Sequence, residues 1–187
     1  MLNDNMSHAE QEDEVIFETK VFDVVKRYQI GHSGKKLTRF VIRNRGAVAI
    51  LPILDDGRIV LVRQYRSPAQ RYIYEIPAGT REIGEEPLIT ATRELIEETG
   101  YHAERIWLMT HFFSSPGIFQ EELYLFKATG LTPGDSHLED GEDLEVRLFT
   151  KDELRRMICA GEIEDGKTLL ALLTLFTPDE FFSEQRN

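Results

Sequence analysis

The sequence predicts an α/β domain preceded by a small antiparallel β-sheet, and three observations lead to this prediction. One helix is expected between Pro87, which suits the first turn of a helix, and Gly100, which suits the left-handed position past its end. Apolar runs with β-branched residues, typical of buried strands, lie on both sides of this helix. A pair of helical segments follows near the end of the chain, as in layered α/β domains.

Length and composition limit what the protein can be. The 187 residues are consistent with one domain and an appendage. The net charge of −11 argues against a surface for nucleic acid, because phosphates are bound by positive charge. No apolar run is long enough to span a membrane, so no membrane partner is expected. The single cysteine, Cys159, precludes an internal disulfide and predicts a reducing, cytoplasmic location.

The first part of the chain divides into a tail and a sheet. Residues 1–14 are expected to form a polar tail, since they lack the basic and apolar regions of a signal peptide. Residues 15–45 contain short apolar and aromatic runs around a turn at His32-Ser33-Gly34, which predicts a small antiparallel sheet. Such a sheet is too small to be stable alone, so it should pack on the core or on another subunit. Residues 46–187 are expected to form the main domain.

The main domain begins with strands that approach the central helix. Two apolar runs flank Asp55-Asp56-Gly57 and predict a hairpin of core strands. Arg63 and Arg66 stand at the end of the second strand, where two guanidinium groups could bind a diphosphate; the alternative is a solvated strand end. Ala78 precedes Gly79, whose missing side chain lets the backbone approach an ion. Past the helix, residues 104–115 and 121–131 are expected to form two more strands.

The central helix carries carboxylates on one side. At 3.6 residues per turn, Glu94, Glu97 and Glu98 fall on one arc about 100° wide. Such a cluster repels itself unless a cation neutralises it, and the hard oxygens of carboxylates favour Mg²⁺ or Mn²⁺. The alternative is a solvated acidic face on which Arg93 pairs with Glu97.

The stretch from Gly79 to Tyr101 resembles the signature of the Nudix hydrolases, G-x5-E-x7-R-E-U-x-E-E-x-G-U, in which U is an apolar residue. All of its fixed positions are matched: Gly79, Glu85, Arg93, Glu94, Glu97, Glu98 and Gly100. Tyr101 departs mildly, because an aliphatic residue is more usual there. The resemblance covers about Phe17 to Phe176. It implies a Nudix α/β/α sandwich that cleaves, with divalent metal, a nucleoside diphosphate linked to another group.

The resemblance also implies roles for residues of the signature. Glu98 is expected to be essential for catalysis as well as a metal ligand, and Glu85 to support the site. Glu97 is either a further ligand or the partner of Arg93. The implied ligands of Mg²⁺ or Mn²⁺ are the carbonyl of Ala78 and the carboxylates of Glu94, Glu98 and Glu97.

A second segment narrows the resemblance to ADP-ribose pyrophosphatases and related nucleoside diphosphate sugar hydrolases. Pro116 follows the last glycine of the signature by 16 positions, within an S-P-G-x-x-x-E segment like that of this branch. Glu121 matches the glutamate of the segment as a substrate-binding residue, with Glu122 beside it as the alternative. The general base of this branch is a glutamate on a loop before a strand. Glu142 fits that position, whereas Glu139 and Glu145 stay open.

The relatives imply the remaining contacts and the activity. Arg66, and less directly Arg63, would contact the phosphates, Phe22 would stack on the base, and the sheet of residues 15–45 would form a homodimer. The implied reaction converts ADP-ribose to AMP and ribose 5-phosphate. One alternative is a broad hydrolase of nucleotide sugars such as ADP-glucose and GDP-mannose. Another is a regulator that binds the ligand without cleaving it, which the intact signature argues against.

Two helices end the expected fold. Thr150 and Glu153 have the spacing of a capping box, which predicts a helix that begins there and ends near Gly161. A second helix is expected from about Lys167 to Phe176. Both helices are interpreted as outer-layer packing, with no part in the chemistry.

Overall fold

The computed structural model describes residues 13–137 and 143–177, which form ten strands and three helices. They divide into two units. The first comprises the described residues up to Arg45 together with Ser115–Glu121, and the second comprises Gly46–Ser114 with the described residues from Glu122 onward. Among the described residues, no helix combines the length and apolar character that crossing a membrane requires.

The first unit is the small antiparallel sheet expected from the sequence. Its strands follow one another in the order β1-β2-β3, with bounds Glu14–Glu18, Asp23–Ile30 and Lys36–Arg43. Between β1 and β2, the Thr19 hydroxyl accepts hydrogen bonds from the backbone N–H groups of Val21 and Phe22, at 3.1 and 2.9 Å. The segment Ser115–Glu121 joins this unit through Ile42, whose N–H donates to the Ile118 carbonyl at 2.9 Å.

The second unit contains two sheets. The larger has the order β7-β4-β9-β8, in which β4 and β9 are parallel and the other pairs antiparallel. Its strands are β4 (Ala47–Pro52), β7 (Ala78–Thr80), β8 (Tyr101–Phe113) and β9 (Glu122–Pro133). The smaller sheet is antiparallel with the order β10-β5-β6. Its strands are β5 (Ile59–Arg66), β6 (Arg71–Glu75) and β10 (Leu144–Phe149).

The helices begin and end where local signals place them. Helix α1 spans Pro87–Thr99 and is followed by Gly100 in the left-handed conformation, with φ of 71°. Helix α2 spans Lys151–Ala160 and begins with the expected capping box between Thr150 and Glu153. Helix α3 spans Gly166–Thr174, and its N-cap is Asp165. The expected helix at residues 167–176 is therefore present, one residue earlier at its start and two residues shorter at its end.

Two apolar clusters place the sheets between the helices. The first lies beneath α1 and consists of Val48, Ile50, Val60, Ala91, Leu95, Phe126, Ala128 and Leu131. The second includes residues of α2 and α3, among them Leu61, Leu125, Leu154, Met157, Ala171 and Leu172. Neighbouring strand residues alternate between the clusters, as Val60 and Leu61 do, because successive side chains point to opposite faces. The result is the expected α/β/α sandwich.

The turn expected at Asp55-Asp56-Gly57 is present, but the strands on its two sides belong to different sheets, so the prediction that they pair as a hairpin was wrong. Leu54 donates its N–H to the Arg58 carbonyl at 2.9 Å, which closes the turn. The chain then passes from the larger sheet to the smaller one. Within the described residues, β4 and β5 share no ladder, and an isolated bridge joins Ile53 to Ile59. The turn signal is local, whereas the sheet that each strand joins is decided by distant partners.

Candidate active site

Helix α1 directs two of its glutamate side chains toward the protein interior. Glu94 and Glu98 are only 8% and 3% exposed, whereas the apolar Leu88 and Ile89 are 48% and 59% exposed. Charged side chains are rarely buried unless they are paired or bind an ion, because desolvating a charge is costly. Burial of two carboxylates on a helix that exposes apolar residues therefore indicates a functional site around Glu94 and Glu98.

Strand β7 lies directly against these carboxylates. The Ala78 N–H donates a hydrogen bond to Oε2 of Glu98 at 3.0 Å. A Cβ atom at Gly79 would stand 2.0 Å from the carboxylate carbon of Glu94, so any other residue would displace that carboxylate from its observed position. The requirement for glycine at this position is thus steric, because the Glu94 side chain occupies the space.

Arg93 joins three carboxylates of the signature. Its Nη1 donates to Glu94 at 2.7 Å and to Glu97 at 2.8 Å, while Nε and Nη2 contact Glu85 at 3.3 and 3.2 Å. The bond from Arg93 lowers the pKa of Glu85 to about 2. The pairing of Arg93 with Glu97, left open as an alternative to metal binding, is therefore present in the structure.

The donor chemistry of the site fits a hard divalent cation. Within residues 13–137 and 143–177, no three His, Cys, Asp or Glu side chains converge as a preformed metal cage. Nevertheless, the carboxylates of Glu94, Glu97 and Glu98 lie together on one end of α1, where the guanidinium of Arg93 contacts Glu94 and Glu97. Carboxylate oxygens are the ligands that Mg²⁺ and Mn²⁺ prefer.

Arg66 is held by the carboxylate of Glu75, the last residue of β6. Its Nε and Nη2 donate to the two oxygens of Glu75, at 2.6 and 2.9 Å. The Glu75 side chain is only 2% exposed, and that of Arg66 is 39% exposed. The bond from Glu75 raises the pKa of Arg66, and the negative charge of Glu98 acts in the same direction. Arg66 thus belongs to the electrostatic surroundings of the α1 carboxylates.

Arg63 does not join Arg66. The two residues are three positions apart on β5, so their side chains leave opposite faces of the strand. The guanidinium of Arg63 lies 4.1 Å from the centre of the Tyr72 ring. The two arginines expected to bind one diphosphate are therefore not brought together on one face, and the role of Arg63 stays a prediction.

The residues on both sides of the segment expected to carry the general base are hydrogen-bonded to α1 and to the smaller sheet. Glu142 and Glu139 lie outside the described residues. Before them, the N–H of His137 donates to the Glu97 carbonyl of α1 at 3.0 Å. After them, the carbonyl of Asp143 accepts from Tyr65 on β5 at 3.1 Å, and its carboxylate accepts from the hydroxyl of Tyr72.

Glu145, the third alternative for the base, is described. It stands opposite Arg63 in the β10–β5 ladder, half exposed, and pairs with Arg147. Directly opposed residues of a ladder share a face, so Glu145 is on the same face as Arg63 and not on that of Arg66. Which of Glu139, Glu142 and Glu145 is the base stays a prediction.

Phe22 and Glu121 belong to the first unit. Phe22 is 36% exposed, and its ring centre lies 6.5 Å from that of Phe17. Glu121 accepts a hydrogen bond from the side-chain amide of Asn44 at 2.7 Å. Glu122, the alternative to Glu121, belongs to the second unit, where it pairs with His111 and accepts from the Tyr124 hydroxyl. The substrate contacts expected of Phe22 and Glu121 stay predictions.

We expect Gly79→Ala to lower kcat by about one to two orders of magnitude, because the added methyl group would displace the Glu94 carboxylate. The free energy of unfolding should change by only about 1 kcal/mol, since the obstructing atoms end a flexible side chain. Steady-state kinetics and thermal unfolding measure the two effects. Gly166→Ala is the matched control, because a Cβ there meets no atom within 4 Å. Unchanged turnover in Gly79→Ala would show that Glu94 need not stay in place.

Comparison with known proteins places this arrangement in a family. The NUDIX domain profile matches residues 43–172. The chain is 39% identical over 161 residues to the ADP-ribose pyrophosphatase of Bacillus subtilis (strain 168). This alignment covers 85% of this chain and 87% of that protein. The chain is also 39% identical over 142 residues to the methanol dehydrogenase activator of Bacillus methanolicus, in an alignment that covers 75% of this chain and 77% of that protein.

Similarity extends to two further pyrophosphatases and to a solved structure. The chain is also similar to the ADP-sugar pyrophosphatase of Mus musculus and to the GDP-mannose pyrophosphatase of Yersinia pestis. A crystal structure of an ADP compounds hydrolase superposes with a TM-score of 0.77 at 22% identity, covering 90% of this chain and 93% of that chain. At this identity the superposition supports the fold alone.

Proposed function

The chain belongs to the Nudix hydrolase family, and from this premise we propose that it hydrolyses the diphosphate bond of ADP-ribose to AMP and ribose 5-phosphate. One observation carries the proposal: Glu94 and Glu98 are buried on α1 against the backbone of β7, and the charge of Glu98 acts on Arg66. Similarity to proteins named ADP-ribose pyrophosphatase supports the choice of substrate.

Nudix hydrolases generally use divalent metal ions, and we assign Mg²⁺, or Mn²⁺, to this site. Glu94, Glu98 and the carbonyl of Ala78 would hold the ion, and Glu97 would be a further ligand or remain with Arg93. When bound, such an ion neutralises a diphosphate and lowers the pKa of a water. The support is the clustering of the Glu94, Glu97 and Glu98 carboxylates on one end of α1 and the burial of Glu94 and Glu98.

Arg66 is assigned to the phosphates of the substrate. Glu75 engages Nε and Nη2 of its guanidinium and thereby fixes the plane of the group. We assign the remaining Nη1 to a phosphate oxygen. A guanidinium held in one orientation loses little entropy when it binds an anion, so the pair with Glu75 prepares Arg66 for binding.

Glu142 is assigned as the general base that removes a proton from the attacking water. The residues on the two sides of this segment support the assignment. His137 is hydrogen-bonded to Glu97 of α1, and Asp143 is hydrogen-bonded to Tyr65 of β5. These are the two elements that carry the α1 carboxylates and Arg66. Glu139 remains the alternative within the same segment.

The decisive experiment incubates the purified protein with ADP-ribose and Mg²⁺ and separates the products by chromatography. We expect AMP and ribose 5-phosphate in equal amounts and no product when the metal is chelated. A product that retains both phosphates would show cleavage elsewhere than at the diphosphate bond and would refute the proposal.

A broader substrate range is the second candidate within this class. Similarity to enzymes named ADP-sugar and GDP-mannose pyrophosphatase favours it. Equal kcat/KM values for ADP-ribose, ADP-glucose and GDP-mannose would select the broad enzyme, and a preference of at least about 100-fold for ADP-ribose would select the narrow one. A binding regulator, the candidate from another class, would bind ADP-ribose without forming product.

A homodimer is proposed through the sheet of residues 15–45. This sheet exposes large apolar side chains that a monomer would leave in water: Val15, Ile16, Phe17, Val21, Ile30 and Phe40 are each at least 47% exposed. Exposed apolar surface of this extent is typical of an interface. The expected partners are thus a nucleotide sugar and a second copy of the chain. A cytoplasmic location, expected from the single cysteine, remains a prediction.

We expect replacing both Phe17 and Phe40 by Asp to convert the dimer to a monomer, because charges would have to be desolvated at the interface. Light scattering coupled to gel filtration should give twice 21.6 kDa for the unaltered chain and 21.6 kDa for the variant. Phe113→Asp is the matched control, because Phe113 is 57% exposed, as Phe40 is, but belongs to the second unit. A monomeric unaltered chain would contradict the proposal.

A further inference from the structure

Helix α3 is bound at its first turn to the end of β6. The hydroxyl of Thr168, which is fully buried, accepts a hydrogen bond from the Ile76 N–H at 2.9 Å. The N-cap Asp165 accepts from the Thr168 N–H at 2.9 Å and from its hydroxyl at 2.5 Å. These bonds fix the start of α3 beside Glu75, the residue before Ile76. They also place Lys167, which precedes Thr168, next to the Glu75 carboxylate that holds Arg66.

Lys167 is a second cation on Glu75. Its Nζ contacts Oε2 of Glu75 and lies 3.0 Å from Oδ2 of Asp165. Its side chain is only 13% exposed, so the contact is not an ordinary surface ion pair. Burial acts to raise the pKa of Glu75, but the bonds and charges of Arg66 and Lys167 outweigh it, and the pKa is lowered. Glu75 is therefore held ionised between two cations.

The charges are arranged in a line of contacts. Arg66 contacts Glu75, Glu75 contacts Lys167, and Lys167 contacts Asp165, so that positive and negative groups alternate. Arg66 is the positive end and, with a side chain 39% exposed, the most accessible member. With Arg66 alone, Glu75 would cancel the charge of the guanidinium. With Lys167 also on Glu75, and Asp165 on Lys167, the line is neutral as a whole and Arg66 stands at its positive end, the end open to an anion.

We propose that Lys167 is a positioning residue for Arg66: it offsets the negative charge of Glu75, the carboxylate that orients the guanidinium, so that Glu75 cancels less of the attraction between Arg66 and the diphosphate of a nucleotide sugar. This inference rests on the proposed function, in which Arg66 binds the phosphates. It gives α3 a part in substrate binding besides its packing on the core.

The test measures KM and kcat separately. Lys167→Met should raise KM for ADP-ribose about tenfold and change kcat far less, because Arg66 is weakened as an anion-binding group. Lys167→Arg should restore most of the affinity, since it keeps the charge. Lys151→Met is the matched control, because Lys151 is an exposed lysine in the first turn of α2. If Lys167→Met does not fold, Lys167→Gln tests the same loss of charge.

A variant of Asp165 separates electrostatics from structure. Asp165→Asn keeps an efficient N-cap and removes the negative end of the line of charges, so KM should stay the same or fall. A merely structural role for the cluster predicts instead that Lys167→Met and Asp165→Asn both raise KM in step with a lower Tm. That outcome would overturn the inference.

A binding measurement that requires no hydrolysis tests the role of Lys167 independently of the proposed function. The probe is an ADP-ribose analogue with a methylene group between its phosphorus atoms, measured by calorimetry in the presence of Mg²⁺. Weaker binding by Lys167→Met of about tenfold, with or without hydrolysis of ADP-ribose by the unaltered chain, supports the inference. Unchanged binding by Lys167→Met, together with loss of binding by Arg66→Ala, would overturn it and leave the proposed function intact.

Discussion

Replacing Glu98 by Gln is expected to lower kcat by about three orders of magnitude while the protein stays folded. Glutamine has the same shape, and its amide oxygen can still accept the hydrogen bond from the Ala78 N–H, which is 3.0 Å long in the structure. What the substitution removes is the negative charge at a position only 3% exposed. A neutral oxygen binds a divalent cation far more weakly than a carboxylate.

The kinetics of Glu98→Gln should be measured over a range of Mg²⁺ concentrations, with circular dichroism to verify the fold. Glu86→Gln is the matched control, because Glu86 precedes the same helix, is exposed, and makes no side-chain capping bond. Its turnover should equal that of the unaltered chain. Near-normal turnover in Glu98→Gln at low Mg²⁺ would remove the basis for placing the metal on α1.

Replacing Glu142 by Gln is expected to lower kcat by about two to three orders of magnitude with little change in substrate Kd. The reason is that a general base acts on the attacking water and not on binding of the nucleotide. In the unaltered chain, kcat should fall on the acidic side as the base becomes protonated. The variant should lose this dependence, because glutamine does not titrate. Stopped-time assays from acid to neutral pH measure both effects.

Two further variants locate the base. Glu139→Gln removes the alternative within the same segment and should leave kcat nearly unchanged. Glu145→Gln serves as the matched control, since Glu145 shares the face of Arg63 and pairs with Arg147. If Glu139→Gln is the slow variant, Glu139 and not Glu142 is the base.

The local parts of the fold and the site were predictable from the sequence. The bounds of α1 follow from Pro87 and Gly100, and the capping box of α2 follows from Thr150 and Glu153. The pairing of Arg93 with Glu97 follows from their spacing of one helical turn. Signals of this kind act within a few residues, so no knowledge of the remaining chain is needed to interpret them.

The non-local parts could not be predicted in this way. The turn after β4 indicated a hairpin, but β5 pairs with β10 and β6 instead. The two arginines at the end of β5 suggested one phosphate clamp, but the strand directs Arg63 and Arg66 to opposite faces. Burial of Glu94 and Glu98, in place of Leu88 and Ile89, is likewise decided by what packs on α1.

Spacing along the chain specifies the family signature, the helix that carries it and the carboxylates on one arc of that helix, so these features can be recognised without a structure. The contact between Glu75 and Lys167, which are 92 positions apart, and its connection to Arg66 depend on tertiary packing. Packing and hydrogen bonds at Thr168 join β6 to α3, and a local sequence pattern does not specify partners so far apart in the chain.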